Sequence, residues 1–463
     1  MDDAGSEEKN VVFLVLDSLR KDRISPYNGD VEFTPHIGDL ADDAVVFEDA
    51  VAQAPWTLPS HASMFTGEYP WEHGTTHARS YFPADRETFV ARFRDAGYHT
   101  AAVTPNVWIT PHKGMTDDFD EVENFLGTAD NPLSVRLSKL GARAFHALGS
   151  GTRRLIGRQL DRVFRLFDVD DSCKSAETVE AVEDFLDDRA GEKAEPFFLY
   201  TNLMEPHEPY HPPKRYQEKH GVDPDAAIPH RQKDVFTMDD IDYDALRKVY
   251  DASVDYTDDL VGRVRDALDR NGLAEDTVVV LLSDHGQALG GADGSFGHQF
   301  TVSEPVTNAV LLVDDPDRDA GTEPGLTELR RLHDLVPGWA GIAPEPERGS
   351  AVAEVARGGI EYPENFTGFI PSEAWDDYYC KYRYVADADH KVVKRIDADG
   401  AATYAAVDRG SGESVPVPAD LRAEVDAIGD VDVDADADAD AERGGGPEAD
   451  EEIAERLEAL GYK

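Results

Sequence analysis

Short, continuous apolar runs alternate with amphipathic segments along most of the chain. The four clearest runs are VVFLVL (11–16), FFLYTNL (197–203), TVVVLL (277–282) and NAVLLV (308–313). They are rich in β-branched or aromatic residues, which predicts strands buried on both faces of a mostly parallel sheet. Between them, one stripe of the segment 246–268 has the spacing of an amphipathic helix and carries Val249, Ser253, Tyr256, Leu260 and Val264. This alternation of strands and helices predicts a layered α/β fold.

The pattern changes from about residue 350. Residues 378–396 and 401–407 have the composition of antiparallel strands and predict a small appended subdomain. Residues 430–452 are acidic and low in complexity, which predicts a solvated, disordered linker ahead of a short terminal helix. We therefore expect a catalytic domain over 1–345, a small α+β subdomain over 346–424, and the linker with its helix over 425–463.

The stretch APWTLPSHASMFTGEYPWEHG (54–74) allows two interpretations. Thr57 stands two residues before Pro59, and Gly67 follows a short apolar turn. Proline suits a first helical turn, a threonine oxygen can cap it and glycine ends helices, so one interpretation is an ordinary capped helix. The other makes the Thr57 hydroxyl a nucleophile that faces a cleft, with helix amides placed to hold an anion. Residues far from this stretch decide between them.

Charge restricts the partners of the protein. The 463 residues include 94 Asp and Glu against 45 Lys and Arg, a formal net charge of −49. Such a surface repels phosphate backbones, so we expect no nucleic-acid partner. The acidic excess also resembles that of proteins from salt-loving archaea, which work where charges are heavily screened.

Cysteine usage and hydropathy point to the cytoplasm. Cys173 and Cys380 are too few for a disulfide framework. The opening MDDAGSEEKN lacks the charged-then-apolar pattern of a signal peptide, and no run of about 18 apolar residues predicts a membrane span. We expect a cytoplasmic protein, with contact to the inner face of the membrane as an alternative.

Polar residues follow two of the apolar runs directly. Asp17 comes after the first run, and Asp284-His285-Gly286 comes after the third with only Ser283 between. In open α/β sheets, ligands bind beyond the carboxyl ends of the strands. Carboxylate oxygens and an imidazole nitrogen suit a divalent cation, which also offsets the repulsion between the carboxylates.

Four blocks, in this order, resemble the sulfatase family of the alkaline phosphatase superfamily. They are NVVFLVLDSLRKDRISPY (10–27), TLPSHASMFTGEYPWEHG (57–74), NLMEPHEPYHPP (202–213), and LLSDHGQALGG with GHQFTVSEPVTNAVLLV (281–313). The closing ERLEALGYK also resembles many family C-termini. The resemblance implies a three-layer α/β/α, alkaline-phosphatase-like domain with a mostly parallel central sheet.

The resemblance also implies roles for individual residues. Asp17, Asp284 and His285 become ligands of one divalent cation (calcium, magnesium, manganese or zinc), and Thr57 becomes the nucleophile with its oxygen near the metal. His207 corresponds to the family histidine that faces the leaving-group oxygen. His298 stands where sulfatases usually carry a lysine that contacts the anion, and a histidine there serves as donor. We interpret His73 and His77 as structural.

The chain departs from the family pattern at three places. The usual core is Cys-x-Pro-Ser-Arg or Ser-x-Pro-Ser-Arg, whose first residue is oxidised to formylglycine, whereas this chain has Thr57-Leu58-Pro59-Ser60-His61. Ser18 replaces a second aspartate, and Asn106 stands about where a lysine often occurs. The resemblance therefore implies a plain threonine nucleophile rather than an aldehyde hydrate.

Threonine chemistry sets the expected reaction. A formylglycine diol releases sulfate by collapsing to the aldehyde, whereas a threonine ester must be broken by water. We expect a metal-dependent hydrolase of sulfate or phosphate esters that forms a covalent intermediate on Thr57. The alternatives are a phosphodiesterase, phosphotransferase or phosphonate monoester hydrolase acting on a glycan or lipid head group, and an inactive binding protein with the same fold. A two-metal enzyme would need a second set of Asp and His ligands, which the sequence does not offer convincingly.

A basic segment over 131–167 contrasts with the acidic chain. Its apolar spacing allows two amphipathic helices. One interpretation is an insertion packed on the acidic body, and the other is a lid or membrane-surface element for an anionic substrate. Its basic residues are Arg136, Lys139, Arg143, Arg153, Arg154, Arg158, Arg162 and Arg165.

Overall fold

A computed structural model describes most of the chain. The described residues are 8–77, 79–83, 86–125, 174–189, 195–238, 240–290, 295–344, 352–361, 370 and 374–429. The basic segment 131–167 and the acidic linker and terminal helix predicted after residue 429 lie outside these ranges.

Sixteen strands occur in the described residues. They are β1 Asn10–Leu16, β2 Val45–Val51, β3 His99–Thr104, β4 Glu121–Asn124, β5 Phe197–Leu203, β6 Thr277–Leu282, β7 Ala288–Leu289, β8 Phe296–Gly297, β9 Asn308–Ala309, β10 Leu311–Asp314, β11 Gly321–Glu328, β12 Val352–Ala353, β13 Ala356–Glu361, β14 Lys381–Ala386, β15 His390–Ile396 and β16 Ala402–Asp408.

The same ranges contain eleven α-helices. They are α1 Pro35–Asp43, α2 Thr57–Thr66, α3 Pro70–His73, α4 Phe89–Asp95, α5 Ser175–Arg189, α6 Lys214–Lys219, α7 Tyr243–Arg270, α8 Glu304–Thr307, α9 Leu332–Trp339, α10 Trp375–Tyr378 and α11 Ala419–Ala427. None of these helices has the length and apolarity required to cross a bilayer.

The large sheet has the strand order β12-β11-β2-β10-β6-β1-β5-β3-β4, and β9 pairs with β2. Its centre is parallel, because β1 lies between β5 and β6 and runs in the same direction as both. β10 is antiparallel to β2 and β6. The predicted mostly parallel sheet is confirmed, with β10 as an antiparallel strand inside it.

Strand β1 shows why the domain has three layers. Val11, Phe13 and Val15 point into one apolar cluster, which also contains residues of α2, α4 and α9. Val12 and Leu14 point into a second cluster, which contains residues of α1, α5 and α7. Side chains alternate between the faces of a strand, so a continuous apolar run supplies both cores at once. This confirms the α/β/α arrangement.

The predicted elements differ from the structure mainly at the fourth apolar run. The first three runs become β1, β5 and β6 within one residue, and the predicted helix 246–268 lies within α7 with its apolar stripe buried. The run 308–313 instead divides into β9 and β10. The break falls at Val310, whose amide bonds the Ser283 hydroxyl and whose carbonyl accepts from the Ser283 amide.

A second, antiparallel sheet follows the large one in sequence, with the order β13-β14-β15-β16. The sequence pattern indicated β14, β15 and β16 and did not indicate β13. Helix α11 packs Leu421 and Val425 against Val385 and Val392 of this sheet. Strand β12 belongs to the large sheet through its pairing with β11, so the chain completes the large sheet before it begins the small one.

Candidate active site

The acidic centre of the site is built by two neighbouring parallel strands. Asp17 follows β1 and Asp284 follows β6, and the register pairs Val15 with Leu282. The carboxyl ends of the two strands therefore lie side by side, which brings together side chains far apart in sequence. Asp17, Asp284 and His285 are fully buried, and each offers a ligand atom within 4.8 Å of the others.

Helix α2 brings the threonine to this centre. Its first residue is Thr57, and the preceding Trp56 occupies the N-cap position without a side-chain cap. The Thr57 hydroxyl therefore does not cap the helix, contrary to the capped-helix interpretation. It lies 3.3 Å from Asp17 Oδ2, to which it donates. The predicted helix end at Gly67 is confirmed.

Electrostatics favour a cation between these groups. Burial, together with repulsion by Asp284, raises the pKa of Asp17 to about 6, and burial raises the pKa of Asp284 to about 7. Asp284 Oδ2 and His285 Nε2 are buried without a hydrogen-bond partner among the described residues. Because His285 Nδ1 bonds the Gly286 carbonyl at 2.9 Å, its Nε2 presents a lone pair. These donors fit a divalent cation.

Two of the three departures from the family pattern, Ser18 and Asn106, contact Asp17 or Asp284 directly. Ser18 Oγ donates to Asp17 Oδ1 at 2.9 Å, and the Ser18 amide bonds Asp284 Oδ1 at 3.3 Å. Asn106 Nδ2 lies 3.0 Å from Asp17 Oδ2 and 2.9 Å from Asn202 Oδ1. Both residues bond Asp17 through neutral groups. An aspartate in place of Ser18 or a lysine in place of Asn106 would change the net charge of the site.

His61 stands in helix α2 at the place of the family arginine, and sequence reasoning gave it no role. Its Nδ1 donates to the Thr57 carbonyl at 2.9 Å, and its Nε2 accepts from the Tyr200 hydroxyl at 2.9 Å. Burial lowers the pKa of His61 to about 3. It is therefore a neutral ring, 3.7 Å from Asp284 Oδ2.

The structure brings His207 and His298 to the same centre. The His298 ring centroid lies 4.4 Å from that of His285 and 5.0 Å from that of His207. His207 Nδ1 bonds the Glu208 carbonyl, and burial lowers the pKa of His207. All the residues predicted for the site, Asp17, Thr57, His207, Asp284, His285 and His298, are thus neighbours in the fold.

Two further buried polar residues, Glu208 and Gln287, were missed by sequence reasoning. They bond each other at 2.9 Å, and Gln287 bonds His298 at 2.8 Å. The signal available was their position, one residue after His207 and two after His285. His73 bonds Ser63, within its own part of the chain.

A second group with metal-ligand chemistry comprises His36, Asp258 and Asp259. Asp258 accepts from the amides of His36 and Ile37 at 3.0 and 2.8 Å, so it binds the first turn of α1. His36 and Asp259 are partly exposed. Asp258 therefore has a structural role at the start of α1, whereas the Asp17 centre contains two buried atoms, Asp284 Oδ2 and His285 Nε2, without a hydrogen-bond partner among the described residues.

The family assignment rests on a match that covers most of the chain. The family model named Sulfatase matches residues 9–344. The chain belongs to the sulfatase family. This sulfatase-family protein is an ester hydrolase of the alkaline phosphatase superfamily, as the four sequence blocks predicted. Sulfatases generally bind a divalent cation, and the Asp17 centre is the matching candidate.

Known relatives are similar to this chain over most of its length. Sulfatase YidJ of Escherichia coli, itself uncharacterized, is 26% identical over 413 residues, covering 80% of this chain and 78% of that protein. An arylsulfatase of Clostridium perfringens is 24% identical over 424 residues, covering 84% of each. A phosphonate monoester hydrolase from Silicibacter pomeroyi has a similar structure, with a TM-score of 0.67, 18% identity, and coverage of 90% of this chain and 93% of that chain. The structural likeness supports the fold.

Proposed function

We propose that this sulfatase-family protein hydrolyses sulfate or phosphate esters through a covalent ester on Thr57. The observation that carries this proposal is the 3.3 Å contact between Thr57 Oγ1 and Asp17 Oδ2 at the start of α2. The Thr57 hydroxyl makes no capping bond to helix α2. It lies beside a buried group of carboxylates and an imidazole whose chemistry suits a cation. The amides of the first turn of α2 add a positive dipole end for the anion.

Asp17, Asp284 and His285 would hold the cation, with Thr57 beside it. A bound divalent cation lowers the pKa of a nearby hydroxyl and offsets charge on the transferred group. The chain itself orients the nucleophile, because Trp56 and α2 fix the backbone and Asp17 fixes the hydroxyl. Trp56 is fully buried, which excludes water from that side.

The reaction has two displacements. Thr57 Oγ1 forms a bond to sulfur or phosphorus while the bond to the leaving oxygen breaks, and the leaving oxygen gains a proton as Thr57 loses one. We assign His207 to the leaving oxygen: its Nδ1 donates to the Glu208 carbonyl, so its Nε2 takes up the Thr57 proton and passes it to that oxygen. Water then forms a bond to sulfur or phosphorus, the bond to Thr57 breaks, and Thr57 regains its proton.

Charge restricts the ester class. A divalent cation and the carboxylates of Asp17 and Asp284 sum to zero, and Ser18, Asn106 and His61 contribute no charge. A reacting group with one negative charge leaves the smallest uncompensated charge in this buried site. Sulfate monoesters, phosphodiesters and phosphonate monoesters carry one charge, whereas phosphate monoesters carry about two at neutral pH.

A monoanionic phosphoester is the second candidate substrate. The observation that favours it is Thr57 itself, because water must attack the transferred group of a threonine ester, and phosphorus accepts that attack more readily than sulfur. The relative with phosphonate monoester hydrolase activity by name has the same fold.

Matched 4-nitrophenyl esters test the proposal. The purified chain in concentrated salt is assayed with a sulfate, a phosphate monoester, a phosphodiester and a phosphonate monoester, each with Mg²⁺, Ca²⁺, Mn²⁺ or Zn²⁺. We expect turnover of monoanionic esters that is lost on chelation and in Thr57→Ala. Cation binding without turnover of any ester would instead indicate an inactive binding protein.

A further inference from the structure

His298 is held at one ring nitrogen and open at the other. Its Nδ1 lies 2.8 Å from Gln287 Oε1, and its Nε2 is buried without a hydrogen-bond partner among the described residues. The ring is fully buried between those of His207 and His285. A neutral imidazole carries one hydrogen, on one of its two ring nitrogens.

Gln287 determines which nitrogen carries that hydrogen. Its Nε2 lies 2.9 Å from Glu208 Oε2 and 2.6 Å from the Tyr210 hydroxyl. Each of the two amide hydrogens therefore has an acceptor, which leaves Oε1 facing His298. With Oε1 as the acceptor, the His298 hydrogen lies on Nδ1, and Nε2 presents a lone pair.

Glu208 also holds, through Gln232, the backbone that precedes His298. Its Oε1 accepts the Gln232 amide at 2.8 Å, and Gln232 Nε2 donates to the Phe296 carbonyl at 2.6 Å. A Cβ on Gly297 would lie 1.6 Å from Gln232 Oε1, so only glycine allows this close approach. The side chain of His298 and the backbone before it are both tied to Glu208.

We propose that Gln287 is a positioning residue that presents His298 Nε2 as the acceptor for the water that cleaves the Thr57 ester. The water oxygen bonds to sulfur or phosphorus as the bond to Thr57 Oγ1 breaks. The water proton passes to His298 Nε2 and is returned to Thr57 Oγ1, so no other reactant is needed. This inference rests on the proposed function, and it assigns His298 an acceptor role rather than the donor role suggested by the family resemblance.

The test separates the two displacements in the full-length enzyme. A 4-nitrophenyl ester that the wild type turns over has a good leaving group, so rapid mixing resolves a burst of nitrophenol from the later steady state. Gln287→Met keeps the length of the side chain and removes the amide. Gln287→Glu keeps an acceptor for His298 Nδ1 but loses the two amide hydrogens beside Glu208 and Tyr210, so it should restore function only in part. Gln217→Met, on α6 with its amide bonded to the Pro212 carbonyl, is the matched control.

We expect Gln287→Met to keep the burst rate and to lower the steady-state rate about a hundredfold, the usual range for lost acid–base assistance. Intact mass measurement should then show the ester accumulating on the protein at Thr57. Gln217→Met should show neither effect, and Gln287→Glu should accumulate less ester than Gln287→Met. Equal slowing of both phases, or no accumulated ester in a folded Gln287→Met with a wild-type melting curve, would overturn the inference.

The proposed function fails by a different result. If Thr57→Ala keeps wild-type turnover, no ester forms on Thr57 and the covalent reaction is wrong, whatever Gln287 does. If Gln287→Met does not fold, variants of His298 replace it in the test. His298→Ala should accumulate the Thr57 ester, and His298→Gln, which keeps an acceptor, should accumulate less. Equal accumulation in both variants, or none in either, would overturn the inference.

Discussion

The side-chain amide of Asn106 donates to Asp17 Oδ2 at 3.0 Å, the same oxygen that accepts from the Thr57 hydroxyl. One carboxylate oxygen therefore orients the nucleophile and is itself held by a neutral amide. A family lysine at this position would add one positive charge beside the reacting group.

Asn106→Lys should change the preference for substrate charge. A new ammonium near Asp17 favours a dianionic group, so the ratio of phosphate monoester to phosphodiester turnover should rise roughly tenfold, about 1.4 kcal/mol. The ratio of kcat/KM values for the matched nitrophenyl esters measures this. Asn106→Ala removes only the amide and should lower both activities alike. An equal change of the ratio in both variants would contradict the charge argument.

Asp17→Asn and Asp284→Asn should each lower cation occupancy and turnover together. Each replaces a charged ligand by a weaker one, and we expect affinity to fall at least about a hundredfold. Metal analysis after dialysis and titration calorimetry measure the occupancy. Asp259→Asn, in the partly exposed His36 group, is the matched control and should change neither quantity. Wild-type turnover after exhaustive chelation would exclude the cation.

The metal-free protein should lose stability as pH rises. The pKa values of Asp17 and Asp284, about 6 and about 7, lie above the ordinary value of 3.8, so the folded state binds more protons than the unfolded state between those limits. The free energy of unfolding therefore contains a contribution that falls from about pH 4 to pH 7.

Chelated protein in constant concentrated salt, unfolded by urea at pH 5.5 and at pH 8, measures that contribution. The Asp17→Asn, Asp284→Asn double variant lacks both carboxylates and should lose less stability over the interval than the wild type. Saturating cation should also remove the difference, because cation binding keeps both groups ionised. A larger loss in the double variant would contradict the assignment.

Gly286→Ala should displace the loop that carries Asp284 and His285. A Cβ at Gly286 would lie 2.1 Å from the Pro305 carbonyl oxygen, and backbone cannot move aside as a flexible side chain can. We expect destabilisation of about 1–3 kcal/mol, together with weaker cation binding because His285 is adjacent. Gly29→Ala meets no atom within 4 Å and is the control. Wild-type stability and affinity in Gly286→Ala would show that the loop accommodates the methyl group.

The central strands and the acidic centre could be predicted from the sequence alone. Continuous apolar runs such as 197–203 have no competing periodicity, and the ends of parallel strands meet at one sheet edge, so Asp17 and Asp284 could be placed together. The division of 308–313 could not be predicted, because it depends on the bond between Val310 and Ser283 across two strands.

The hydrogen bonds that hold the histidines in place could also not be predicted from the sequence. Glu208 and Gln287 are 79 residues apart and bond only because their loops meet in the fold. Gln287 further bonds His298, from a third part of the chain. Polar side chains of this kind carry no periodic signal, so their roles emerge only from the side-chain geometry.

The covalent role of Thr57 is the central claim, and single-turnover chemistry tests it most directly. The enzyme, in excess over a 4-nitrophenyl ester it turns over, is quenched at short times and its mass is measured, in the wild type, Thr57→Ser and Thr57→Ala. Wild type and Thr57→Ser should carry one transferred sulfate, phosphate or phosphonate group on residue 57. Thr57→Ala should carry none and turn over at least about a thousandfold more slowly, since the nucleophile is gone. Wild-type turnover by Thr57→Ala would contradict the account.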